Sequence, residues 1–119
     1  MNAYQQERPV VVCLCGSTKF REAFRRVNRQ ETLAGKIVLA PGCFQGDDDD
    51  VDWSSEVKQR LDELHLRKID LADVVYILNV GGYIGQSTRQ EIAYARQQGK
   101  RVRWLESGAC GDVDVDEVV

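Results

Sequence analysis

A chain of 119 residues, 43% of them hydrophobic, is long enough for one domain with a real core and too short for two. The formal net charge is -3 and the sequence pI about 5.2. An acidic chain without a basic stripe speaks against general nucleic-acid binding. Arg21, Arg25, Arg26 and Arg29 do cluster, but at helical spacing among acids, as on a solvated helix face.

The first strand is expected at "PVVVCLC" (9–15), a continuous apolar run of the kind buried on both faces. The segment before it, "MNAYQQERP", is polar, so no signal peptide is expected. The longest apolar run falls far short of the ~20 residues of a membrane span. A cytoplasmic protein with free thiols at Cys13, Cys15, Cys43 and Cys110 is the natural reading. Cys13 and Cys15 are two apart in a strand and face the same side. With one histidine in the chain no zinc spacing is met, so no metal site is expected and these thiols read as small buried hydrophobes.

Gly16 breaks the strand. Ser17 or Thr18 is the expected cap of a first helix running to about Ala34, with Phe20, Ala23, Phe24, Val27 and Glu31 inward and Gly35 ending it. "KIVLAP" (36–41) reads as the second strand. The loop "GCFQGDDDDVD" (42–52) holds four consecutive aspartates. No glutamate stands at the twelfth position from Asp47, so a solvated acidic loop is expected rather than a calcium site. A second helix is expected over 53–71, capped by Ser54 or Ser55, with Val57, Leu61, Leu64, Lys68 and Leu71 inward. "ADVVYILNV" (72–80) is the third and most apolar strand. The third helix is expected over 87–99, and "KRVRWLE" (100–106) is a strand nearer an edge, with Val102 and Trp104 on one face. For the acidic tail at 109–119 three alternatives are open: a short edge strand, a partner contact or a disordered segment.

Strands alternate with helices throughout 1–119, which predicts a single α/β domain: a Rossmann-like or flavodoxin-like three-layer sandwich with a parallel sheet of four or five strands. Ligands bind such sheets at the carboxyl ends of strands, near the switch in strand order. Two segments fall there. In "CGSTK" (15–19), Gly16 admits close backbone approach, Ser17 and Thr18 offer hydroxyls, and Lys19 puts a cation in a helix's first turn, where it suits an anionic ligand better than the bare helix. Neither the dinucleotide fingerprint nor the Walker A loop is met, so no cofactor is expected, and a plain helix cap is the alternative reading.

The second segment, "GGYIGQSTRQE" (81–91), follows the third strand. Gly81, Gly82 and Gly85 allow tight turns, and Ser87 or Thr88 can cap the helix. Glu91 stands three residues after Thr88, as in a capping box, but Ser87 and Gln90 make the same box one residue earlier. Glu91 also borders the inward side, where a carboxylate beside a glycine-lined cleft can act as nucleophile or as partner for an oxocarbenium-like sugar. Both readings of Glu91 stand. His65, a lone helical histidine, has a structural or exposed reading beside a proton-transfer one. Asp73 lies at the amino end of its strand and reads as structural. Asn79, at the carboxyl end, reads as a polar contact.

At "CGSTKF", "IDLADVVYILN" and "STRQEIAYARQQGKRV" the chain resembles the nucleoside 2-deoxyribosyltransferase superfamily over roughly residues 10 to 105. Within it, the chain is similar to small bacterial and phage proteins carrying "GGYIG-x-ST-x-x-E". The resemblance implies N-glycosidic chemistry. Glu91 matches the glutamate that attacks the anomeric carbon of a deoxyribosyl group, after which another base or water takes the sugar. In the 5′-monophosphate N-hydrolase branch, Gly16 and Ser17 match a phosphate-holding loop and Lys19 a basic residue. Homodimers with a neighbouring subunit completing the site are implied as well. Two positions depart from the family: His65 stands where an aspartate is common, and Gly85 where an aspartate or serine is frequent. A weaker similarity links the same segment to the "GGxGTxxE" of lysine-decarboxylase-like phosphoribohydrolases, which cleave base from nucleotide.

These readings set the expected site. Glu91 and His65 would carry catalysis. Gly16, Ser17, Thr18, Lys19, Asn79, Gly82, Tyr83, Gly85, Ser87 and Thr88 would contact a nucleoside or nucleoside 5′-monophosphate, with Tyr83 stacking on the base. The partner is a small molecule, with no nucleic acid and no membrane. The alternative is a non-catalytic nucleotide-binding or sensor module on the same fold.

Overall fold

The computed structural model describes residues 8–48 and 50–107. The acidic tail, Cys110 and Asp49 of the aspartate run lie outside the described residues.

Seven main elements follow in the expected order: β1 (Val11–Cys15), α1 (Arg21–Leu33), β2 (Ile37–Leu39), α2 (Ser55–Leu71), β3 (Val74–Ile77), α3 (Gln86–Gln97) and β4 (Arg101–Trp104). A single 3-10 turn, Val80–Gly82, sits between β3 and α3. The four strands form one parallel sheet in the order β2-β1-β3-β4. This is the α/β architecture the alternation predicts, and among the described residues β4 lies at an edge of the sheet, as its alternating pattern suggested. From β1 the chain crosses to β2 on one side and returns to β3 on the other. That reversal opens a crevice at the carboxyl ends of β1 and β3.

Strand pleating divides the core into two. On one face Cys13, Cys15, Val75, Ile77, Val102 and Trp104 meet Ile69 of α2 and Ile92 and Ala95 of α3. On the other face Val12, Leu14, Val74 and Tyr76 meet Ala23, Phe24 and Val27 of α1. Two helices therefore cover the face that carries the cysteines, and one covers the opposite face.

α1 buries the expected line of Ala23, Phe24, Val27 and Glu31. Its start differs from expectation. Phe20 takes the N-cap position without a side-chain cap bond. Ser17 and Thr18 instead belong to a turn in which Phe20 N–H donates to the Ser17 carbonyl at 3.0 Å. Gly16 is close enough to β3 that a Cβ there would stand 3.1 Å from the Leu78 carbonyl oxygen. The loop is thus pressed onto the sheet before the helix begins.

α2 is turned about one residue from the predicted inward line. Leu64 is 53% exposed and Leu71 69% exposed, whereas His65 and Ile69 are buried. One residue is about 100° of helix rotation, enough to exchange the faces. Patterning drew the line through leucines because it counts histidine as polar, but His65 is the residue that meets the two thiols of β1.

Asp73 is structural, as its place at the strand's amino end suggested. It accepts from Arg8 at 2.7 Å and from Val11 N–H at 2.9 Å. These bonds hold its carboxyl well below the usual carboxylate range.

On the α1 face, buried Glu31 accepts from Lys36 and Arg103, each at 2.9 Å. Burial pushes its pKa up, but the two cations outweigh it and the net direction is down. Removing the buried carboxylate takes away an acceptor shared by two cations, so Glu31→Ala should lose about 3 kcal/mol in urea unfolding at neutral pH. Because the folded pKa is depressed, the ionic part of this stability is present above the ordinary carboxylate value and lost as pH falls through the folded one. The gap between wild type and Glu31→Ala should therefore narrow in acid; a gap that stays constant or widens there would contradict the assignment.

Candidate functional site

A cavity of about 620 Å³ opens at the carboxyl edge of the sheet. Its walls come from four segments: Gly16, Ser17 and Thr18 after β1; Pro41, Gly42 and Cys43 after β2; the inner side of α2; and Tyr83 through Glu91 around the start of α3. The volume is in the ~300–1,000 Å³ range of small-molecule sites.

The start of α3 faces this space. Gly85 is its N-cap, in extended conformation and without a side-chain cap bond. Ser87 and Thr88 lie inside the first turn, so neither caps the helix, and the capping-box reading of Glu91 fails with them. The amides of Gln86, Ser87 and Thr88 therefore have neither intrahelical acceptors nor a capping side chain, an arrangement suited to an anion. Gly81 and Gly82 make the approach possible, with φ of 62° and 81° in the turn that carries the chain from β3 to α3.

Glu91 stands in the second turn of α3, 8% exposed, on the cavity wall. Burial pushes its pKa up to about 7. The His65 charge pulls it back, while Cys13 and Asp62 add to the rise. His65 is 6% exposed, and its Nε2 lies 3.3 Å from Cys15 Sγ and 3.7 Å from Cys13 Sγ. Its Nδ1 is buried without a hydrogen-bond partner among the described residues. Burial pushes the imidazole pKa down, but the Cys13 contact and the charges of Cys13 and Glu91 outweigh it, so the net direction is up. Between the thiols, contact with Cys15 leads Cys13 downward, and burial drives Cys15 upward. Glu91, Cys15, Cys13 and His65 thus form one buried group of neighbouring titratable side chains, of which His65 and Glu91 line the cavity, and the Glu91 charge adds to the rise at Cys15.

The structure brings Gly16, Ser17, Thr18, His65, Tyr83, Gly85, Ser87, Thr88 and Glu91 to one cavity. It does not bring Asn79, Lys19 or Gly82 to the cavity wall. Asn79 is fully buried, and its side chain bonds both the N–H and the carbonyl of Glu106 at 3.0 Å, fastening β3 to the chain after β4. Lys19 sits with Nζ 3.8 Å from the centroid of the Tyr83 ring. Gly82 donates its N–H to the Asn79 carbonyl at 2.8 Å.

Sequence reasoning missed Trp53, Lys58 and Asp62, all on the wall. Lys58 Nζ donates to Asp62 at 3.0 Å and to Ser87 Oγ at 2.8 Å, bridging α2 to α3. The available signal was spacing: Lys58, Asp62 and His65 succeed one another at i+4 and i+3, one face of a helix. It was hidden because the inward line was drawn through Leu64. The trio of Cys13, Cys15 and His65 was missed for another reason, since His65 lies 52 and 50 residues from the two cysteines and meets them only through the β1–α2 packing.

No protein-family model matches the sequence, and no curated protein matches it. Among solved structures, a 2-deoxyribosyltransferase from the psychrotolerant bacterium Bacillus psychrosaccharolyticus superposes with a TM-score of 0.55 at 16% identity, over 88% of this chain and 77% of that one. The chain has the 2-deoxyribosyltransferase-like fold. In this fold the described residues contain no helix long and apolar enough to cross a membrane.

The buried Glu91 has a measurable cost. Its folded pKa is raised, so it favours the folded state below the ordinary carboxylate value, and that contribution is lost as pH rises toward about 7. Glu91→Gln keeps the shape and removes the charge. Its melting temperature should exceed that of wild type, with the difference growing between about pH 5 and pH 8. Equal melting temperatures across that window would refute the buried, raised carboxyl.

Proposed function

We propose that the chain cleaves or transfers the N-glycosidic bond of a nucleoside or nucleoside 5′-monophosphate, with Glu91 as nucleophile. The observation that carries this reading is the near-buried Glu91 carboxyl on the wall of a nucleoside-sized cavity, in a fold shared with a 2-deoxyribosyltransferase. Ionised Glu91 attacks the anomeric carbon, the glycosidic bond breaks, and its electron pair leaves with the base. The base takes a proton from a neighbouring acid. A second base or a water then displaces the sugar from the carboxylate. Carboxyl desolvation keeps a fraction of Glu91 protonated near neutrality and leaves the ionised fraction poorly solvated and reactive.

The surrounding groups take the remaining roles. Ser17, Thr18 and the open amides at the start of α3 hold the sugar or its 5′-phosphate, with Lys58 adding positive charge. Tyr83 borders the same space and offers a face to the base. His65 is held against the thiols, and Asp62, one turn earlier on α2 and electrostatically linked to Glu91, is a second carboxyl beside the nucleophile. A homodimer supplying further residues to this opening is part of the proposal.

A panel of nucleosides, deoxynucleoside monophosphates and NAD, followed by chromatography for released base, tests the reaction. Glu91→Ala should lower turnover about a thousandfold or more while leaving binding within a small factor. A Glu91→Ala protein that cleaves as fast as wild type would sink the mechanism. A nucleotide at ~100-fold over its Kd should stabilise the fold by about 2.7 kcal/mol. Such stabilisation without base release would favour the nucleotide-sensor reading.

A further inference from the structure

We propose that Cys13, Cys15 and His65 form a binding site for a thiophilic divalent cation, zinc foremost, behind the cavity wall that His65 lines. Two elements build it. The pleat of β1 points both sulfurs to one face, and β1 is held between β2 and β3, so their spacing is fixed by the sheet. The rotation of α2 then sets the imidazole against them. The three donor atoms all lie within 4.8 Å of one another, and all three residues are buried.

The separations suit a tetrahedral ion. Zinc–sulfur bonds of ~2.3 Å and zinc–nitrogen bonds of ~2.1 Å at tetrahedral angles require sulfur and nitrogen to be roughly 3.6 Å apart. The observed Nε2 to Sγ distances of 3.3 and 3.7 Å bracket that value. Two thiolates and an imidazole favour zinc over magnesium or calcium, which take oxygen ligands. A disulfide is the poorer use of these cysteines. Side chains two apart on one strand project in parallel, so their Cβ atoms stand ~6.6 Å apart, and a disulfide needs them within ~4.5 Å.

A bare core would have little use for this histidine. Its Nε2 is buried against weakly polar sulfur, and a coordinated cation would repay that burial. Three protein ligands leave a fourth position. The cavity lined by His65 and Glu91 is the entry route. Loading exchanges protons for metal without redox change: the thiols release theirs to solvent as the sulfur–metal bonds form, and the imidazole binds in its neutral form.

Titration of the chelator-treated full chain with Co2+ tests the site. One Co2+ per chain should bind, giving a thiolate-to-cobalt charge-transfer band and the strong visible absorption of four-coordinate cobalt, both erased by Zn2+. Cys13→Ser, Cys15→Ser and His65→Gln should each weaken binding by more than ~100-fold, beyond the usual effect of outer-shell changes. The double variant Cys43→Ser, Cys110→Ser should bind as wild type does. X-ray absorption of the zinc-loaded wild type, with two sulfur neighbours and one imidazole nitrogen, decides the matter even where a cysteine variant fails to fold. A folded wild type without the thiolate band, or a band lost only on changing Cys43 and Cys110, would overturn the proposal. None of these readouts depends on base release, so the site and the glycosidic reaction stand or fall separately.

Discussion

β1 and β3 lie at the centre of the sheet and pair in parallel, Val12 with Val74 through Cys15 with Ile77. Everything functional in this chain descends from that pairing. Both strands are buried on both faces, so their register cannot slip without exposing apolar side chains or burying polar ones. The two strands end side by side, and the chains leaving them part: one enters the "GST" turn before α1, the other the double-glycine turn before α3. The crevice between those exits is where backbone amides and small residues face open space instead of each other. Asn79 and Glu106 lock the adjoining end of β4, which keeps the floor of the crevice rigid.

On that scaffold the molecule places several titratable groups in one buried region. Glu91, His65 and the two thiols of β1 are each buried, and each is shifted by at least two of the others. Such a cluster is costly. A chain optimised for stability alone would put apolar residues at these positions, as it does elsewhere on the same face with Val75, Ile77 and Trp104. Perturbed carboxyl groups gather at functional sites for this reason: the surrounding fold bears a cost that the local interactions do not repay. Glu31 shows the contrast. It is just as buried, but two cations meet it directly, its pKa falls, and it reads as a structural clamp on the opposite face.

The candidate site was legible in unequal parts. The glycines after β1 and β3 and the placement of Glu91 followed from chain order, because parallel α/β sheets expose those positions. The fine reading of the helix starts did not follow. Ser17, Thr18, Ser87 and Thr88 all have good capping chemistry, yet none caps its helix, because the preceding glycine turns deliver the chain in a geometry that starts each helix elsewhere. Asn79 looked available because it sits at a strand's carboxyl end, but its neighbour across the sheet takes both of its hydrogen-bonding ends.

The sequence by itself determined the alternation of strands and helices, the two doubly buried central strands, the edge position of β4 and the two loops that meet at the crevice. These are consequences of local periodicity and of the handed, short connections that such periodicity permits. Only the tertiary structure decided which face of α2 turns inward. Periodicity fixes a helix's stripe by counting apolar residues, and α2 carries leucines on more than one side. Its rotation is set by what lies opposite, and two thiols accept an imidazole where a leucine would have filled the space. That rotation unites Cys13, Cys15, His65 and Glu91, residues from three elements that no spacing along the chain connects.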